Sequence, residues 1–178
     1  MKAFTLIACF FTTVIVNAAI TTVPRVDVAS YMGTWYEIAR LPQSFQRMCG
    51  ATRVIYTLRE DGKVDVQNMC QDKDDKNKLH QAHGTAFVTE SETNSKLKVS
   101  FVPFLQRWGF FAGNYWVIGL DETNYTWAMV GEGTGKYLWI LSRTPTMTPE
   151  FIQELLSRAH VMGINTESII YSPEWKNY

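Results

Sequence analysis

Between Trp35 and Ser142 the chain repeats one pattern, a short run with strand character followed by a cluster of turn residues. The runs are Trp35–Arg40, Cys49–Leu58, Lys63–Cys70, Gln81–Thr89, Lys96–Val102, Asn114–Leu120, Tyr125–Val130 and Tyr137–Ser142. Most of the links are rich in glycine, asparagine and aspartate, as in "EDG", "QDKDDKNK", "ESETNS", "DETN" and "GEGTGK". Those residues supply positive backbone angles and local side-chain hydrogen bonds, which turns need. Eight short strands joined by short links predict an antiparallel meander, and closure into a barrel removes its unpaired edges.

The faces of the runs support closure. In "KLKVSFV" Leu97, Val99 and Phe101 share one face and Lys96, Lys98 and Ser100 the other, so that strand has one wet side. "KVDVQN" alternates in the same way. "YWVIGL" and "YLWIL" are apolar on both faces, so something covers their outer side. A helix after the strands can do this. Thr148 is a suitable N-cap, Pro149 suits the first helical position, and Ile152, Leu155, Leu156 and Ala159 recur at helical spacing before Gly163. The expectation is an all-β fold, an eight-stranded antiparallel up-and-down barrel with one C-terminal α-helix packed outside.

A barrel of eight strands has room inside for side chains or one small ligand. Parity places Val54, Tyr56, Val66, Asn68, Leu97, Val99, Phe101, Tyr115, Val117, Tyr137 and Trp139 on the inward face. The set is apolar and aromatic with a few hydroxyl and amide groups, the usual lining of a small-molecule pocket. A filled core without a cavity has the same composition. With 17 basic and 17 acidic residues, bulk charge offers nothing to nucleic acid.

Residues 1–18, "MKAFTLIACFFTTVIVNA", join an early lysine to an apolar stretch and end on small residues. This is the form of a secretory signal peptide cleaved after Ala18, leaving a domain over residues 19–178. Leu6-Ile7-Ala8-Cys9 has the form of a lipoprotein cleavage box, but the apolar stretch before Cys9 is short for an export signal. Export to the periplasm or the extracellular space is therefore favoured over an outer-membrane lipoprotein. The mature chain keeps two cysteines, Cys49 and Cys70, at the open end of a hairpin turning at Asp61-Gly62. An even pair so placed in an exported chain predicts a disulfide.

Gly33-x-Trp35 near the start, Asp121 with Tyr125 after the sixth strand, and Arg143 before the helix resemble the three short conserved regions of the lipocalins. "GTWYEIAR", "YTLREDGKV" and "YLWILSRTP" resemble most the bacterial lipocalin and apolipoprotein D branch. The resemblance implies that Trp35 plugs the closed end, that Arg143 packs across it through a cation–π contact, and that these signature residues are structural. It also implies a carrier of a small hydrophobic ligand, a fatty acid, lysophospholipid or similar lipid, with Tyr56, Asn68, Tyr115 and Trp139 lining the cavity. No cofactor, metal site or catalytic activity is expected. The alternative is a cavity-based isomerase or synthase, which in a few lipocalins uses a barrel cysteine.

Other motifs read as structure. "GEGTGK" lacks the spacing and following helix of a phosphate loop, and His80 and His83 fall on opposite faces of a strand. Asn124-Tyr125-Thr126 is a glycosylation sequon. The stretch 101–114 carries Phe104, Leu105, Trp108, Phe110 and Phe111 with Arg107 as its one charge. It is expected to form a greasy lip at the open end that touches a bilayer or a second copy in a homodimer.

Overall fold

The computed structural model describes residues 19–101 and 112–176. Its eight main strands are β1 (Gly33–Arg40), β2 (Cys49–Leu58), β3 (Val64–Asp72), β4 (Leu79–Val88), β5 (Lys96–Ser100), β6 (Gly113–Leu120), β7 (Trp127–Gly131) and β8 (Leu138–Ser142). Each pairs antiparallel with the next, and β1 pairs with both β2 and β8, which closes the barrel. A short helix, α1 (Val28–Tyr31), precedes β1, and the helix α2 (Pro149–Val161) follows β8.

The expected architecture holds, and the differences lie at element ends and in two short additions, α1 and a ninth strand. β1 begins at Gly33, two residues ahead of the run expected from Trp35, so Gly33 sits within the strand. β7 begins at Trp127, because Asp121 gathers the backbone N–H groups of Thr123, Asn124 and Thr126 into a turn. Tyr125 lies in that turn with φ +54°, ahead of the strand expected to start with it. Tyr137 precedes β8, and Phe101 follows the end of β5.

The β2–β3 hairpin expected around Asp61-Gly62 forms, and it pairs Leu58 with Val64. Its turn spans Arg59 to Lys63, with Gly62 at φ +77°. Cys70 therefore faces Thr52, and a bulge between Cys49 and Thr52 brings Cys49 back within reach. The Cys49–Cys70 disulfide forms with a Cα separation of 5.4 Å.

β2 follows β1 only from Gly33 to Tyr36 and then diverges. A ninth strand, β9 (Ile170–Tyr171), fills the gap by pairing with Ala39 and Arg40. Along the same strand a bulge between Glu37 and Ala39 shifts the pairing with β8.

Two apolar layers result. The inner one packs Trp35, Val54, Val66, Val117, Val130 and Leu141 against one another inside the barrel. The outer one lays Ile152, Leu155, Leu156 and Ala159 of α2 on Ile38, Ile118, Met129, Leu138 and Ile140. Thr148 Oγ1 caps the helix by accepting from Phe151 N, and Gly163 ends it with φ +84°. Burial of Ile152, Leu155 and Leu156 contributes about 2 kcal/mol each, enough to hold a helix of 13 residues that is marginal alone.

Candidate functional site

The closed end is built on Trp35, which is fully buried. Its indole Nε1 donates to the carbonyl of Tyr31 at 2.9 Å, tying α1 beneath the strands. The Arg143 guanidinium lies over the Trp35 ring at 3.9 Å. Its nitrogens donate to the carbonyls of Thr34, Ser30 and Tyr125 at 2.9, 2.8 and 3.2 Å. Gly33 has φ +93°, and a Cβ there would stand 3.4 Å from Arg143 Nη1, so glycine suits both the backbone and the approach. The Tyr125 hydroxyl accepts from Asp27 N, the N-cap residue of α1. The signature residues therefore join three separate stretches of chain into one floor.

Just above the floor the lining is apolar apart from Asn94 and three phenols. Val54, Tyr56, Val66 and Val117 are buried in the inner layer, with Leu97, Val99, Tyr115 and Trp139 packed against it. Tyr56, Leu97, Val99, Tyr115 and Val117 line a cavity of about 30 Å³ together with Val26, Val28, Tyr31, Met32, Val64, Ala86 and Asn94. The hydroxyl of Tyr115 lies 2.9 Å from that of Tyr31 and 2.9 Å from that of Tyr56. Burial pushes the pKa of all three phenols well above the ordinary tyrosine value, so they stay protonated. Tyr31, Val26 and Val28 escape sequence reading because their segment is too short to show a period.

Toward the other end the remaining candidates spread out. Trp139 stacks on Tyr137 with centroids 6.0 Å apart, and its Nε1 donates to Gln46 Oε1 at 3.1 Å. Asn68 is half-buried and faces Val54 and Ala82 in register. Phe101 is 41% exposed, just past the end of β5. Its ring leans over Gly84, where a Cβ would come within 2.8 Å, so the position acts as a rim.

Sequence reasoning missed a buried polar cluster on this wall. Glu37 and Arg40 pair with each other at 4% exposure each. The Glu37 carboxylate also accepts from Gln46 Nε2 and Ser172 Oγ, while Arg40 Nη2 donates to the Cys49 and Gln46 carbonyls. Gln46 thus links the ion pair to Trp139. Because Glu37 pairs with Leu141 of the inner layer, and the bulge then turns both Ile38 and Ala39 outward, Arg40 comes to rest opposite Trp139. A charged residue in a strand reads as solvent-facing, although Glu37 shares the parity of Trp35, and the bulge brings Arg40 to the same face.

The rejected motifs have local explanations. His80 pairs with Asp72, and the Glu132 carboxylate accepts from Thr134 and Lys136 to hold the β7–β8 turn. Among the described residues no group of three or more metal-ligating side chains converges. Phe104, Leu105, Trp108, Phe110 and Phe111, expected to form the lip, lie outside the described residues.

The family profile of the lipocalin-like domain matches residues 26–174, which covers the barrel, α2 and β9. The chain is a lipocalin. It is 38% identical over 169 residues to the outer membrane lipoprotein Blc of Escherichia coli, an alignment spanning 95% of this chain and 90% of that one. The Blc protein of Vibrio cholerae is 33% identical over 177 residues, 96% and 98% of the two chains. Temperature-induced lipocalin-1 of Arabidopsis thaliana is 36% identical over 156 residues, 85% and 81% of the two. Among solved structures, insecticyanin from Manduca sexta superposes with a TM-score of 0.65 at 18% identity over 86% of this lipocalin and 84% of that chain. That last likeness concerns the fold, and the floor described above gives the family signature its physical meaning in this lipocalin.

Proposed function

We propose that this lipocalin is exported and carries a single-chain lipid, a fatty acid, lysophospholipid or similar amphiphile, as a non-enzymatic binding protein. The observation that carries the reading is the polarity gradient of the interior. An apolar barrel is sealed by Trp35 and Arg143 at one end, and its first buried charges, Glu37 and Arg40, stand beside Trp139 toward the other. Each methylene buried inside contributes about 0.8 kcal/mol, and Trp139 offers a broad ring with a polar edge where the chain gives way to a headgroup. Val54, Val66, Leu97, Val99 and Val117 act as the wall, and Tyr56, Asn68, Tyr115 and Tyr137 as its polar points. Residues 1–18 serve as the signal peptide and 19–178 as the carrier domain, released to the periplasm or the extracellular space. The Blc relatives named as outer membrane lipoproteins support an envelope destination. The stretch around Phe104, Trp108, Phe110 and Phe111 serves as the bilayer or homodimer contact during transfer.

A thiol-based isomerase is disfavoured because Cys49 and Cys70 are joined to each other. The test is mass spectrometry of lipid extracted from protein purified from the envelope, with titration of octadecanoate and lysophosphatidylcholine into delipidated protein. About one lipid per chain is expected, with binding weakened at least tenfold in Trp139→Ala and the melting temperature little changed. Absence of both bound lipid and measurable affinity refutes carriage. A Trp139→Ala variant that binds normally moves the pocket elsewhere.

A further inference from the structure

β9 fills the gap left by the divergence of β2 only in part. A cleft of about 460 Å³ remains in the wall, bordered by Ile170 and Tyr171 on the β9 side and by Cys49 and Gly50 of β2, with residues of the β1–β2 loop around it. None of its lining residues belongs to the small cavity above the floor. We infer that this cleft is a second binding site, for a phosphate group with a hydroxyl beside it, as in a glycerol phosphate. The site is separate from the lipid carried inside, so it stands or falls independently of carriage.

The charge of the ligand follows from the lining. Arg40, Arg47 and Lys73 border the cleft, and among the described residues no carboxylate does. Arg40 is paired with Glu37, and its nitrogens also donate to Ser172 and to the carbonyls of Cys49 and Gln46, so it forms a fixed wall. Arg47 is exposed and has no ion pair among the described residues. Lys73 pairs with Asp74 at the surface, a contact of little strength that a ligand displaces. Two available cations on separate loops suit the several charged oxygens of a phosphate, and the Ser44 hydroxyl stands beside them.

Gln43 adds the second observation. It borders the cleft and is 7% exposed, yet neither its Oε1 nor its Nε2 has a hydrogen-bond partner. Buried amides are nearly always paired, because an orphaned one bears the full desolvation cost of both atoms. In the folded chain alone the amide is closed off from water. Rotation about its own side-chain bonds turns it into the adjoining cleft, where a ligand can supply what the protein does not. Nε2 donates and Oε1 accepts, so a complete partner offers an acceptor and a donor side by side. A phosphate oxygen next to a hydroxyl does this. A bare carboxylate or inorganic anion satisfies Nε2 and leaves Oε1 orphaned.

The experiment follows the side-chain amide of Gln43 by nitrogen-15 NMR in the mature protein, with calorimetry for affinity. sn-Glycerol 3-phosphate is expected to shift the amide with a Kd of about 1 mM, with inorganic phosphate about tenfold weaker and glycerol without effect. Cosedimentation with phosphatidylcholine vesicles that contain phosphatidylglycerol distinguishes the source. Cosedimentation that the soluble ester competes away assigns a lipid headgroup, and binding of the soluble ester alone assigns a free ester. Gln43→Met keeps the length of the side chain and removes the amide. It is expected to weaken the ester about tenfold while raising the melting temperature, the opposite of what a merely structural glutamine would give. An amide that stays unmoved at about 10 mM ester, equal affinity for inorganic phosphate, unchanged affinity in Gln43→Met, or a melting temperature that falls in that variant each overturns the site.

Discussion

Replacing Arg143 by methionine tests whether the floor is held by the guanidinium or by packing alone. The methionine keeps most of the apolar stem and removes four interactions, three hydrogen bonds to carbonyls and the stack on Trp35. A hydrogen bond from a charged donor is worth about 1.5–3 kcal/mol where water cannot substitute. Arg143 sits at a partly exposed end, so the freed carbonyls regain some hydration, and about 1 kcal/mol per bond is the better figure. The cation–π contact contributes about 1 kcal/mol, since solvent reaches it partly. The expected loss is about 4 kcal/mol in all, which lowers the melting temperature by about 10 °C in a domain of this size. Arg143→Lys keeps a charge over the ring but cannot fork to three carbonyls, so it should fall roughly midway. Differential scanning calorimetry measures the stability, and near-ultraviolet circular dichroism reports the setting of Trp35. A loss below about 1 kcal/mol in Arg143→Met, with an unchanged aromatic spectrum, would show that the floor stands without the guanidinium and that the reasoning is wrong.

Three further outcomes are expected. Cys49 and Cys70 lie 21 residues apart, so reduction should cost about 3 kcal/mol by loop entropy; two freely alkylated thiols in the unreduced protein would remove the premise. Hydrogen bonds from His80 first, and then from the N–H groups of Asp74 and Asp75, hold the Asp72 carboxyl down at about 2, against 3.8 for a free one. Its stabilisation is therefore present above about pH 4 and lost as pH falls toward 2. Asp72→Asn should flatten acid unfolding in that window, and superimposable acid titrations of the two proteins would contradict this. The double variant Trp108→Ser/Phe110→Ser should slow lipid transfer from vesicles or change the sedimenting mass, and no change in either would retire the contact role.

What was legible in the sequence follows from what a side chain can signal by itself. Alternation gave the strands of the wall, and Thr148, Pro149 and Gly163 marked both ends of α2, because each of those signals is local. The floor was legible only through its resemblance to a family, since nothing in the spacing of Trp35 and Arg143 says that they touch. Glu37 shares the inward parity of Trp35 and was passed over because a charge in a strand reads as solvent-facing, whereas Arg40 was missed because a one-residue bulge after Glu37 changes which face the strand presents, and no residue type announces it. Tyr31 was missed for a different reason. It belongs to a helix of four residues, in place because Asp27 caps it and Trp35 sits on it. β9 has two residues and no pattern, and it exists because β2 leaves β1 halfway.

The seam between β1 and β8 also governs the order in which this molecule can assemble. Neighbouring hairpins from β2 to β8 can form soon after their residues are available, but Arg143 meets Thr34 across 109 residues of chain. β1 must wait for β8, and its upper half must wait longer still for Ile170 and Tyr171. Contacts this distant in sequence make folding slow, because chain entropy is lost before the contacts repay it. A polypeptide that crosses a membrane through a narrow channel has to remain extended until its tail has passed. A barrel whose last seam needs Ile170 and Tyr171 cannot complete that seam while those two residues are still absent.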